Sequence, residues 1–246
     1  MPAGAAEAAS FGADAVDALV RIDTDPVLDP APAAALVERL EALHLAMRAQ
    51  DARALRRGTG LVGRLLGRDL RVQARARELA ERLGVLLVGA DRAARALAAH
   101  AAAQADAGAR IRAACLGLDA LVSQVQAWRD GLCAPERSTP LQVALEQRLD
   151  HLGRVAAAHG LTARQLELLH EQNAGLLARY NNIRDALLPA WRQRALGEAA
   201  AAGSARAADA AAIEAEIGSE VAAMTVTLDA RPAPSTLRLP DQENAQ

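Results

Sequence analysis

Five histidines, two cysteines and a few serines are the groups in this chain that could ligate a metal or attack a carbonyl. His44, His100, His151, His159 and His170 stand in no HExxH or CxxC setting, the spacings that bring ligands together. His151 and His159 would share a helix face only if one helix ran on beside Gly160. Cys115 and Cys133 are too few for a disulfide framework or a zinc site, and they suit a reducing compartment. A nucleophile next to a base would need Ser123, Ser138, Cys115 or Cys133 carried to a histidine by folding, and no local motif marks any of them. Cys115 lies on an apolar stripe, the setting of an inert core thiol. Glu167 and Glu171 form a carboxylate pair on paper, yet such pairs recur along the chain as a solvated helix face does. The expectation is no catalytic residue, no metal site and no cofactor, hence not an enzyme.

The remaining chemistry is recognition. Eight Arg and one acid, Asp69, lie between Arg53 and Arg77. On a helical wheel Arg53, Arg57, Arg64, Arg68, Arg71 and Arg75 fall in one sector, opposite Leu55, Val62, Leu65 and Leu66. A basic amphipathic stretch can bind acidic lipid, an acidic partner or phosphate; the plainer reading is a solvated face on a core helix. Gly58-Thr59-Gly60 is no phosphate loop, since no strand precedes it and no Gly-Lys-Ser/Thr follows. Trp191, just after Pro189 and followed by Arg192, reads either as an interface anchor or as a core anchor past a kink.

Helices must position these residues. Hydrophobic residues make up 52% of the 246, enough for a sizeable core. Most are Ala and Leu, the strongest apolar helix formers. Aromatics are only Phe11, Trp128, Tyr180 and Trp191. Strand-preferring residues are scarce, so the expected fold class is all-α, an elongated bundle of long, antiparallel, coiled-coil-like helices. With 28 basic and 30 acidic groups the charge gives no push toward nucleic acid, and none is expected as partner. The first residues lack the basic start of a secretory signal, and no apolar run is long enough to span a membrane. A cytoplasmic protein is expected, membrane-associated if the basic stretch binds lipid.

Along the chain, residues 1–32 are Ala-, Asp- and Pro-rich and read as disordered or weakly ordered, apart from a short helix near Asp14–Ile22. A helical bundle is expected over 33–196, its first helix running from about Ala33 to Arg57. A second, starting near Leu61, ends at the prolines 135 and 140. Thr139, Pro140 and Gln142 make a helix start, His159-Gly160 a stop, and Thr162 with Gln165 a second start. That predicts a helical hairpin over 140–188. Leu166, Leu169, Asn173, Leu176, Tyr180, Ile183 and Leu187 alternate spacings of three and four, a coiled-coil seam with one polar member, Asn173. Its partner helix could lie in the same chain or in a second copy, making a homo-oligomer through 166–187. Pro189 is expected to kink or end this helix near Leu188. An Ala-rich acidic helix is expected over 197–224 and a disordered tail over 225–246.

The stretch EQNAGLLARYNNIRDALLPAWRQR resembles the TelA-type toxic-anion (tellurite) resistance family. Members carry an Asn/Gln-rich stretch, heptad-like turns, then Pro-x-Trp and a basic residue. Asn173, Pro189, Trp191 and Arg192 match that order, and GLVGRLLGRDL resembles the family's Gly/Arg/Leu-rich segment. The family's long charged helices after the Trp motif are shortened here, as in a shortened or divergent member. The resemblance implies a non-enzymatic, elongated helical protein serving tellurite or wider stress resistance through protein partners. The alternatives are a generic coiled-coil scaffold, or a peripheral binder of anionic membrane through residues 53–77.

Overall fold

A computed structural model describes residues 5–54, 68–130, 140–196 and 203–231. Among these the regular structure is helical and no strand occurs. The helices are α1 (Ala5–Ser10), α2 (Ala13–Val20), α3 (Asp25–Leu28), α4 (Ala31–Ala54), α5 (Arg68–Asp130), α6 (Pro140–Asn182), a π-helical turn (Ile183–Leu187), α7 (Leu188–Leu196) and α8 (Gly203–Asp229). The described residues fall into two compact units, one from 5–29, 101–130 and 140–171, the other from 30–54, 68–100, 172–196 and 203–231. α5 and α6 each contribute to both.

In the first unit, α1 to α3 lie on the pair formed by α5 and α6. Ile111, Cys115 and Leu118 of α5 meet Leu152, Ala156, Ala163 and Leu166 of α6, with Leu19 and Val27 in the same cluster. Residues 5–29, expected to be disordered or weakly ordered apart from a short helix near Asp14–Ile22, are helical and packed, with α2 where that helix is expected. The signal missed is that Leu19 and Val27 are few but fully used, each buried side chain being worth about 1.5–3 kcal/mol. Two side chains tie this arm by its backbone: Gln104 Nε2 donates to Val27 O at 2.8 Å and Arg148 Nε to Phe11 O at 2.8 Å. Gly12, with φ 71°, turns the chain between α1 and α2. A Cβ there would lie 3.1 Å from Leu152 Cδ1, so both the backbone angle and the close approach favour glycine.

The stop expected at His159-Gly160 is absent, and so is the hairpin over 140–188: α6 runs unbroken through it. Leu152, Ala156, Ala163 and Leu166 continue one buried stripe past the glycine. That burial outweighs the roughly 1 kcal/mol that Gly costs inside a helix. Thr162 does not cap a new helix either; its hydroxyl donates to Ala158 O, four residues back, at 3.4 Å. Thr139 lies outside the described residues.

The second unit is four helical lengths around one core. α4 brings Leu36, Leu40, Leu43 and Met47, and α5 brings Leu83, Ala90 and Leu97. α6 and α7 add Leu176, Tyr180, Ile183, Leu188 and Trp191, and α8 adds Ile213, Ile217, Val221 and Met224. Paired side chains fix the directions. Arg179 with Glu220 and Arg194 with Asp209 place α8 antiparallel to α6 and α7.

Pro189 neither ends the helix nor leaves it regular. The π turn precedes it, with Leu188 N–H donating to Ile183 O, five residues back. A wider turn accommodates the missing proline N–H and its ring, and it adds one residue to the helical repeat. The buried positions record that step. The seam runs 173, 176, 180, 183 and then passes to Leu188 and Trp191, with Leu187 only half-buried.

Candidate functional site

The seam finds its partners inside its own chain. Leu166 packs in the first unit, and Leu176, Tyr180 and Ile183 pack in the second. Asn173 is 0% exposed, and its Oδ1 accepts from Arg231 Nη2 at 2.5 Å. Arg231 stands just beyond α8, so the end of that helix is pinned to the one polar seam position. Burial lowers the Arg231 pKa from its ordinary value. A guanidinium nonetheless stays charged, and so donates a charge-assisted bond.

A second polar group surrounds Tyr180. Its phenol donates to the Asp91 carboxylate of α5. The Arg184 guanidinium lies 5.5 Å from the ring centroid and 3.7 Å from Asp91 Oδ1. Arg184 also reaches Asp185 through Nε and Nη2, both at 2.7 Å. Burial, then the hydrogen bond and charge of Asp91, push the Tyr180 phenol well above its ordinary value. Arg184 and Asp185 belong to the π turn, whose wider geometry sets where they project.

On α4, His44 Nε2 lies 2.5 Å from Glu214 Oε1 of α8, and Arg48 Nε lies 3.8 Å from the same oxygen. The imidazole sits against Gly218, where a Cβ would be 2.6 Å from His44 Cε1. Glycine is what lets the ring slide beneath α8. Nothing local in the sequence links His44 to Glu214, 170 residues further on.

The other positions singled out from sequence divide as follows. Trp191 is 1% exposed in the second unit's core, so in this conformation its ring presents no outer surface. Its Nε1 is buried without a hydrogen-bond partner among the described residues, as is Arg192 Nε. Pro189 is exposed. Arg57 and Arg64 lie outside the described residues. Arg53 falls on α4, and Arg68, Arg71 and Arg75 fall on α5, but their side chains are outside the described set. Cys115 is buried, with Sγ donating to Ala156 O at 3.5 Å. Burial, then the Asp119 charge, raise its pKa, the reverse of an activated thiol. Cys133 is outside the described residues. His170 Nδ1 lies 2.9 Å from Ala101 O. Among the described residues no three His, Cys, Asp or Glu side chains come together as metal ligands.

Sequence reading passed over a set of exposed apolar residues. Leu161 and Leu168, seven apart on α6, are 65% and 59% exposed. Val85 and Val88, three apart on α5, are also exposed. Their spacing is helical, but the stronger seam drew attention to the opposite face. No described helix is long and apolar enough to cross a membrane. No family model, curated protein or solved structure matches the chain.

Proposed function

We propose that this chain is a non-enzymatic helical protein that works by associating with other proteins, in the manner of toxic-anion (tellurite) resistance proteins, and serves stress resistance. What carries the reading is the pair Leu161 and Leu168, two large apolar side chains open to water at heptad spacing. Arg164, Glu167 and Glu171 around them are exposed too. Apolar residues rimmed by charge at i, i+7 are how a helix is recognised by a partner helix or groove. The second unit offers a smaller pair, Val85 and Val88, on α5. The stress-resistance part of the proposal rests on the resemblance of residues 171–194 to that family.

The test is genetic and biochemical together. Deleting the gene should raise tellurite sensitivity, and wild type should restore resistance. The Leu161→Glu/Leu168→Glu chain should fold, as judged by circular dichroism, yet lose the partners wild type recovers and fail to restore resistance. If the doubly charged variant protects cells as well as wild type and keeps the same partners, the reading is wrong. A deletion strain of unchanged sensitivity, with partners still lost by the variant, would leave a scaffold unconnected to toxic anions.

A further inference from the structure

One face of α5 in the second unit is open to water. Val85 and Val88 are 73% and 49% exposed on it. Glu78 and Glu81 precede them, Arg92 and Arg95 follow, and all four are exposed. These six residues fall within about 100° of the helix surface. Opposite them lie the buried Leu79, Leu83, Ala90, Ala94 and Leu97. The exposed order has a symmetry centred between Leu86 and Leu87. Counting outward from that point, Val85 answers Val88, Gly84 answers Gly89, and Arg82 answers Asp91. Glu81 then answers Arg92, and Glu78 answers Arg95. Apolar falls on apolar, glycine on glycine, and every charge on its opposite.

A two-fold axis through that centre lays this face antiparallel on an identical face, and each residue then meets the one that answers it. Glu81 meets Arg92 twice, Glu78 meets Arg95 twice, and four valines close the middle. On the flank Arg82 reaches Asp91 of the second copy, a carboxylate already held by the Tyr180 phenol. Gly84 points the same way. Glycine weakens a helix, yet a Cβ at Gly84 would meet nothing within 4 Å, so packing inside the chain does not require it. A missing side chain beside the axis lets two helix backbones come close. We infer that residues 78–95 are a homodimerisation surface, on which α5 pairs antiparallel with the α5 of a second copy. A partner of one charge would satisfy half of the stripe; a second copy satisfies both halves at once. The apolar centre is small, so the dimer is reversible and weakened by salt. This does not rest on the function proposed above, which Leu161 and Leu168 carry. It also leaves the 166–187 seam, filled within the chain, untouched.

Full-length chains of reversed charge test it by analytical ultracentrifugation, with helical content checked by circular dichroism. At about 100 μM and low salt the wild type should dimerise. Glu78→Arg/Glu81→Arg makes the stripe wholly basic, and Arg92→Glu/Arg95→Glu makes it wholly acidic. Each variant alone should dimerise at least about tenfold more weakly. Mixed in equal amounts, the two should form a heterodimer, because every opposite-charge pair is restored. A wild type that stays monomeric overturns the inference. So does a dimer that either reversal leaves intact, or a mixture that does not associate. Should a charge variant lose its helical content, Gly84→Leu takes its place. It fills the flank without touching the charges, and should keep the helix yet weaken the dimer; wild-type dimerisation in that chain overturns the inference as well.

Discussion

Tyr180 is the only tyrosine of the chain, so its titration can be read without ambiguity. The Asp91 acceptor and the surrounding core hold the phenol protonated. Its phenolate absorbance should therefore emerge above about pH 10, the ordinary range for tyrosine. Asp91→Asn keeps an acceptor but removes the charge, and should bring the midpoint down. The folded pKa lies above the unfolded one, so the stability it contributes is complete below about pH 10. It is lost as pH rises through the folded value. A native titration midpoint at the ordinary value would show that Asp91 and the core leave the phenol untouched. Nothing about this pairing was legible in the sequence. Tyr180 could be placed on the seam by spacing, but Asp91 lies on another helix at no readable offset.

At the scale of the element, periodicity read well and punctuation read poorly. The α4 stripe of Leu36, Leu40, Leu43 and Met47 is buried where its spacing put it, and so are the seam residues Leu166, Asn173, Leu176, Tyr180 and Ile183, with Leu169 half-buried. His159-Gly160 reads as a stop and Pro189 as a kink or an end, yet the chain is helical through both, with a π turn just before the proline. Propensity is a local sum of about 1 kcal/mol at a glycine, and tertiary burial on either side overrides it. Gly160 is open enough to test this, since a Cβ there meets nothing within 4 Å. Gly160→Ala should raise stability by about 0.5–1 kcal/mol, read from denaturant melts. A loss of stability would mean that the glycine has a conformational task the helix conceals.

For the whole molecule, the sequence conveyed the all-α class but not the division into two units. Besides the crossing between Asp29 and Pro30, the boundary falls inside α5 and α6, where no loop or proline marks it. Those shared helices have an energetic consequence. Loss of one core would leave lengths of α5 and α6 as single helices, and a lone helix is marginal in water. Trp191→Ala should cost about 3–5 kcal/mol in the second unit. The loss should also appear in the fluorescence of Trp128, which packs in the first. Coincident thermal transitions by Trp128 emission and far-ultraviolet circular dichroism are expected in that variant. Separate transitions, with Trp128 unmoved, would make the two units independent.

The wide turn at Ile183–Leu187 makes the chain one residue longer than an ideal helix would need to bring Trp191 inward. Seen as molecular history, it has the form of an insertion that a helix absorbed instead of rejecting. The consequence is an unusual tolerance to loss. Excising Ala186 while changing Pro189 to Ala would leave Leu188 four places after Ile183, with the tryptophan three beyond, the ordinary cadence of a heptad. Such a shortened chain should melt no lower than its parent, whereas the same excision at Ala178 would turn every later side chain about a quarter of the way round the helix axis.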